Sequence, residues 1–420
     1  MMTIIYFILI LGIRVFIHEL GHFLFAKKFG VHVYEFSIGM GPRLFKFNRK
    51  NDETDYCIRL FPIGGFVQMA GEEIDEEEDI PEEKNLRSKS ALQRFIIMIA
   101  GVMMNFILAF VLLFLIGLFT DVSINNVFVT GSSIKNLNDN DKIVAIDGHF
   151  VNNYDKLALE MAITADKDFT MTVKDEKGNK KDIEIKPVAI GKSNLLYQKE
   201  YGFEINNLDV VKSSLKDISK GDKIVAINDV TVDTYLDLVN ELDKADKKLS
   251  LTLLDKKGKT KEVNVKVTEN KDDELLGYSY GFYIAGEKAK GLWGAIKYAF
   301  LKFFSTVEQM VFTVIYLITG KINLNMMAGP VGIFSVVGAS AKAGFSNVVS
   351  LLCLICINVG FINILPFPAF DGGHVVFIII EKIKGSRVNP KVENIIHNIG
   401  FILLMILMVL VTYNDIVRLF

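Results

Sequence analysis

The chain has 420 residues, room for two or three domains. Hydrophobic residues make up 50% of it and its mean hydropathy is +0.33, which is more apolar than a soluble protein of this size, so membrane spans are expected. A net charge of −2 gives no general pull toward nucleic acid, and three cysteines do not make a disulfide framework.

Residues 1–25 read as a first transmembrane helix. This run lacks the basic start of a signal peptide and carries the most informative motif of the chain, so it is expected to stay in place. Residues 26–93 are polar and turn-rich. They contain two hydrophobic stretches with glycines, Phe36 to Pro42 and Pro62 to Val67, which read as short strands and turns. Cys57 lies between them in what reads as a polar loop, and the acidic run from Glu72 to Glu83 reads as a solvated loop. Residues 94–120 are a second span.

From Asp121 to Lys290 the chain turns charged, with alternating strand patterns, and it contains a repeat. Asp141-Lys-Ile-Val-Ala-Ile146 recurs as Asp222-Lys-Ile-Val-Ala-Ile227. Val151, Tyr154 and Leu157 match Val232, Tyr235 and Leu238 at the same spacing, and each copy runs on into a strand, a Lys-Gly turn and another strand. Two copies of one small domain, at 121–190 and 201–270, are the simplest account.

Residues 291–320 are apolar but interrupted. Lys302, Ser305, Gln309, Thr313 and Tyr316 share one helix face, which favours an amphipathic helix on the membrane surface over a span. Residues 346–366 are a third span, closed by Pro366-Phe-Pro368, and 395–414 a fourth. Cys353 and Cys356 have zinc-knuckle spacing but stand alone among Leu and Ile, and read as small core residues. Basic residues cluster between Lys27 and Arg94 and again between Lys382 and Lys391. The positive-inside rule makes these loops cytoplasmic, with both termini and the repeated domains outside.

The chemistry centres on His18-Glu-Leu-Gly-His22. Residues four apart share a helix face, so both imidazoles can grip one metal, and Glu19 beside them is placed to take a proton from water. His and Glu are expensive inside a membrane helix, which makes the motif more telling there. A catalytic zinc site usually has three protein ligands. Asp371, in the segment 367–380 just past the third span, reaches the membrane depth of His18 from a different helix. An additional span at 291–320 would put it on the wrong side. His374, three residues on, is the competing ligand, with a supporting or capping role favoured.

These residues carry a family resemblance. The His18 to His22 motif, the two glycine-containing stretches, Asn105, Gly329-Pro-Val-Gly-Ile333 and Asn363-Ile-Leu-Pro-Phe-Pro-Ala-Phe-Asp-Gly-Gly-His374 occur in the order seen in bacterial site-2 proteases. The chain resembles the regulator of sigma-E protease (RseP) type over essentially its whole length. The resemblance implies a polytopic α-helical membrane protein of four transmembrane helices, a membrane-associated β-hairpin and two α+β PDZ-like extracytoplasmic domains, circularly permuted. It implies zinc held by His18, His22 and Asp371, with Glu19 as catalytic base. Substrate contacts are implied at Asn363 and in the hairpin around Gly39 and Gly41.

The implied substrates are single-span proteins of the lipid bilayer, such as anti-sigma factors or signal-peptide remnants, first cut outside by a site-1-type protease. Regulated intramembrane proteolysis in the cytoplasmic membrane is the expected activity. Val102 stands where many members have Pro, Phe370 where they have Leu, and Arg14 where an apolar residue is usual. A non-proteolytic scaffold presenting PDZ domains would explain the repeats but not His18, Glu19 and His22. A metal transporter would need further polar sites along a pathway.

Overall fold

The computed structural model describes residues 2–417 except 51, 73–79, 194 and 323–327, so most of the acidic run from Glu72 to Glu83 lies outside the described residues. The chain divides into two compact units, Met1–Ile124 with Lys288–Phe420, and Asn125–Glu287.

The first unit opens with α1 (Met2–Lys28), followed by two long strands, β1 (Val33–Asn48) and β2 (Asp55–Met69), and then α2 (Ala91–Phe119). The expectation of short strands between 36 and 67 falls well short of what forms. Both strands bend on themselves, and residues 35–38 of β1 pair with 65–68 of β2 on one side and 55–58 on the other. Glycine makes the bends possible: Gly39 (φ +91°), Gly41 (φ +84°) and Gly64 (φ +97°) all take backbone angles that other residues avoid. Cys57 is not in a polar loop but buried in β2. Phe36 anchors the sheet to α1 through ring contacts with Phe16 and Phe23. Ile38, Met40, Phe45, Phe47, Leu60 and Phe61 of the two strands are exposed apolar groups. Ser90 and Gln93 form a capping box that starts α2.

The second unit holds the repeat. Its first half runs β3 (Ser123–Thr130), β4 (Lys142–Ile146), β5 (His149–Phe150), α3 (Tyr154–Ile163), β6 (Phe169–Lys174), β7 (Lys180–Ile185) and β8 (Val188–Gly191). The second half runs β9 (Lys199–Glu200), β10 (Phe203–Asn206), β11 (Asp209–Ser213), β12 (Lys223–Ile227), β13 (Val230–Thr231), α4 (Tyr235–Asp243), β14 (Lys248–Leu254), β15 (Thr260–Lys266), β16 (Thr268–Glu269), β17 (Leu275–Ser279) and β18 (Tyr283–Lys288).

The sheets have orders β18-β3-β4-β6-β7 and β10-β11-β12-β14-β15, with the Lys-Ile-Val-Ala-Ile strand third in each. The outer strand of the first sheet comes from the far end of the segment, so the first domain closes only after the second is complete. The boundary at residue 190 therefore misses β18. The matched sequence positions do matched work: Val151 with Leu157, and Val232 with Leu238, are core residues of their two clusters. Asp141 is buried, accepts the Asn138 N–H and pairs with Lys181 at 2.7 Å. Asp222 repeats this with Ser219 and Lys261 at 2.6 Å.

The chain returns to the first unit with α5 (Gly291–Ile318), α6 (Pro330–Ala343), α7 (Phe345–Ile364), α8 (Asp371–Lys384) and α9 (Pro390–Val417). Among the described residues five helices, α1, α2, α5, α7 and α9, are long and apolar enough to cross a membrane, one more than the four expected from sequence. The extra one is α5. Its polar stripe does not face solvent: Tyr316 is buried and Lys302, Ser305, Gln309 and Thr313 are all partly covered, whereas Phe300, Phe304, Val311 and Ile315 point outward. A stripe of small and polar groups turned toward protein, with apolar groups outward, suits lipid contact.

Contacts give the helix directions. Asn105 of α2 stands beside His18 and Ile97 beside His22, so α1 and α2 are antiparallel. Asn363, near the end of α7, stands beside His18, and Gly338, shortly before α7 begins, lies against Thr3 at the start of α1, so α7 runs with α1. The early part of α9 meets the segment before Asp371 while Asp415, near its end, accepts the Gly332 N–H of α6 at 2.8 Å, and α6 lies against the start of α1 at Thr3. The helix α9 therefore runs against α1. Cys353 and Cys356 are buried in the apolar cluster of α7.

Candidate active site

Three donor atoms converge where α1, α2, α7 and α8 meet. His18 Nε2 and His22 Nε2 are 3.3 Å apart, and Asp371 Oδ2 is 3.3 Å from the first and 3.6 Å from the second. His18 and His22 are both buried, and Asp371 Oδ2 is a buried oxygen with no hydrogen-bond partner. Ligands of a tetrahedral zinc at roughly 2.0–2.1 Å stand roughly 3.3–3.4 Å apart. The edges of this triangle match that spacing.

The backbone geometry brings the groups together. His18 and His22 are one helical turn apart on the face of α1 that meets α2. That contact is close: a Cβ added to Gly21 would stand 2.4 Å from the Ala100 carbonyl oxygen, and one added to Gly101 would stand 2.3 Å from His22 Nε2. Only glycine lets the helices approach this far. Asp371 is the first residue of α8, delivered by the turn Phe367–Phe370, and Gly372 lets α8 begin against the carbonyls of Ile364 and Leu365.

The supporting hydrogen bonds fix the tautomers. His22 Nδ1 lies 2.8 Å from the Ile97 carbonyl and donates to it, so its Nε2 keeps a lone pair facing the triangle. His18 Nδ1 lies 3.3 Å from the side-chain amide of Asn105, whose Oδ1 is buried without a partner. Turning that amide over puts the orphaned oxygen against Nδ1–H, satisfying it and freeing His18 Nε2 as a ligand. Two imidazole lone pairs and a bare carboxylate oxygen facing one point call for a cation, and this donor set fits zinc.

Glu19 lies on the side of α1 that faces the sheet, its Cγ 3.5 Å from where a Cβ on Gly65 would stand. Gly65 of β2 thus lies beside the Glu19 side chain. Asn363 Nδ2 reaches within 3.4 Å of His18 Nε2, so it borders the triangle. Gly39 and Gly41 do not. They pack against Phe61 of their own hairpin, where an added Cβ would clash at 2.7 and 2.6 Å.

His374 does not join the triangle. Its ring stacks on His397 at 3.9 Å and its Nδ1 lies 3.5 Å from Glu393. Arg14, one turn before His18, is part-buried with its Nε unpartnered. Sequence reasoning missed the Ile97 carbonyl, which as a backbone group leaves no trace in residue type. It also missed Glu72, whose carboxyl burial pushes above the usual range and which lines a small cavity with Met98, His374 and Glu393.

Residues 6–407 match peptidase family M50. The chain belongs to that family. It is 30% identical over 458 residues to the zinc metalloprotease RasP of Shouchella clausii, and 30% identical over 498 residues to the zinc metalloprotease RasP of Bacillus licheniformis. In both cases all of this chain and all of the relative are covered. The M50 peptidase described here is thus a multi-pass membrane zinc metalloendopeptidase of the site-2, RseP type.

Proposed function

We propose that this M50 peptidase cleaves single-span membrane proteins within the bilayer, with zinc on His18, His22 and Asp371 and with Glu19 as general base. The observation that carries the proposal is the triangle of donor atoms, buried between helices and spaced as zinc ligands are. Zinc bound there supplies Lewis-acid polarisation of the scissile carbonyl and acidifies a water. Glu19 accepts the proton and passes it to the leaving amine nitrogen. His22 is held by the Ile97 carbonyl and His18 by Asn105, so neither ring needs to reorient during the reaction.

A substrate helix hides its peptide groups in internal hydrogen bonds and must unwind before cleavage. The β2 strand at Gly65, beside Glu19, offers backbone for an extended segment to pair with, and Asn363 offers its amide across the site. Gly39 and Gly41 contribute by bending the hairpin so that Gly65 of β2 comes beside Glu19. Substrates of this kind include anti-sigma factors and signal-peptide remnants already trimmed outside by a site-1-type protease. The two repeated domains, PDZ-like and extracytoplasmic in this reading, meet the ectodomains of such substrates.

The test uses purified protein in vesicles with a single-span substrate. Cleavage is expected within the span, abolished by a zinc chelator and restored by zinc, with the cut bond located by mass spectrometry. Cleavage only outside the span, or indifference to chelation, would overturn the proposal.

The proposed topology has four net crossings in the cytoplasmic membrane, both termini outside. The helix α5 starts beside Gly117, at the outer end of α2, and runs inward until Phe303 meets Phe106 at 5.4 Å. The following helix α6 is back at the outer end, against Thr3 and Asp415. The α5–α6 segment therefore enters and returns, which leaves α7 running with α1 and Asp371 on the side of His18. In single-cysteine labelling, Ser193 is expected to react from outside and Ser386 only from the cytoplasm. Labelling of Ser386 from outside would refute four crossings.

A further inference from the structure

We infer that His397 of α9 is a positioning residue for Asp371; this rests on the reading of Asp371 as a zinc ligand. The turn that delivers Asp371 contains Ala369 at φ +86°, a left-handed backbone angle that a residue with a Cβ rarely adopts. Something outside the turn must hold it there. The Ala369 N–H donates to His397 Nδ1 at 3.2 Å, reaching from the last helix across 28 residues of sequence. Around that bond the packing is tight. A Cβ on Gly400, one turn beyond His397, would stand 2.4 Å from the Pro368 carbonyl oxygen. One on Gly373 would meet the Phe367 oxygen at 2.7 Å and His397 Cε1 at 3.2 Å. The imidazole of His374 covers the other face of the ring, stacked at 3.9 Å with the planes 18° apart. The helix α9 therefore grips the Phe367–Phe370 turn from one side, and α8 carries Asp371 from its other end.

The cluster of His374, Glu393 and His397 has its ligand atoms within 4.8 Å of one another, close enough to suggest a second cation. Two features argue against one. Imidazole lone pairs lie in the ring plane, and two rings stacked nearly parallel cannot both aim theirs at one ion. The bond from Ala369 also takes the lone pair of His397 Nδ1, which places the proton on Nε2, the buried nitrogen that has no partner. The ring is thus committed to the turn.

The experiment uses the full chain purified in detergent and measures zinc retained against increasing chelator, alongside kcat and KM. His397→Ala is expected to release zinc at a chelator concentration roughly 10-fold or more below wild type, the size of effect seen when a group supporting a metal ligand is lost. His397→Asn keeps an acceptor where Nδ1 stood and should retain zinc nearly as wild type does. His397→Gln, whose polar end falls where Nε2 stood, should not. Ala369→Gly in the His397→Ala background should recover zinc, because glycine adopts the turn's angle unaided. The inference is overturned if His397→Ala holds zinc as wild type does, if Asn is no better than Gln, or if wild type binds a second zinc that His397→Ala loses. Asp371→Ala separates the two levels. If it keeps its zinc, the ligand assignment itself has failed; if it loses zinc while His397→Ala does not, only the positioning role has failed.

Discussion

Glu19→Gln is expected to keep stoichiometric zinc and lose cleavage by roughly 10²–10⁴-fold, the range that general acid–base catalysis supplies. Glutamine has the shape of glutamate and fits the same space beside Gly65, where the side chain is already confined between α1 and β2. The three donor atoms at His18, His22 and Asp371 are untouched by the change, and so are the bonds from His22 to Ile97 and from His18 to Asn105. What is lost is the ability to accept a proton. Metal analysis and a cleavage assay on the same preparation read the two properties separately. Robust cleavage by the Glu19→Gln protein would show that the proton goes elsewhere, with Glu72, a carboxyl that lines a small cavity with His374, the next residue to test.

How far the site could be read from sequence differs from residue to residue. His18 and His22 were legible because helical spacing puts them on one face whatever else happens. Asp371 was legible only through an argument about depth and direction, and the parallel course of α1 and α7 is what makes that argument work. The close approach of α1 and α2 at Gly21 and Gly101 has no sequence periodicity, since a glycine reads as a breaker until the partner helix is known. The hairpin was underestimated because Gly39, Gly41 and Gly64 punctuate it like turns, whereas here they bend continuous strands. The polar stripe on α5 was seen correctly as a stripe but aimed at the wrong neighbour, for periodicity gives a face without saying what covers it. In the second unit the repeated Lys-Ile-Val-Ala-Ile strands located two domains, but not that β18 returns to complete the first. Strand pairing between residues so far apart leaves no local signal.

Asp371→Ala and His22→Ala are expected to lose zinc and cleavage together, in contrast to Glu19→Gln. Removing either leaves two donors where a catalytic zinc site usually has three, and two-ligand sites hold the ion too weakly to survive a chelator. The fall in affinity should exceed the roughly 10–100-fold seen when only a supporting group is removed. For Asp371 there is a second cost: its Oδ2 is a negative group facing two imidazole nitrogens at 3.3 and 3.6 Å, so its loss also removes charge that attracts the ion. His374→Ala is the internal comparison. That residue sits three positions on, on the same helix, and is chemically the better ligand type, yet its ring is stacked on His397 and turned to Glu393. It should retain far more zinc than Asp371→Ala. The measurement is zinc per chain after dialysis against chelator, with circular dichroism to show that the helices persist. Stoichiometric zinc in Asp371→Ala, or loss of zinc in His374→Ala equal to that in Asp371→Ala, would move the third ligand from the start of α8 to its first turn.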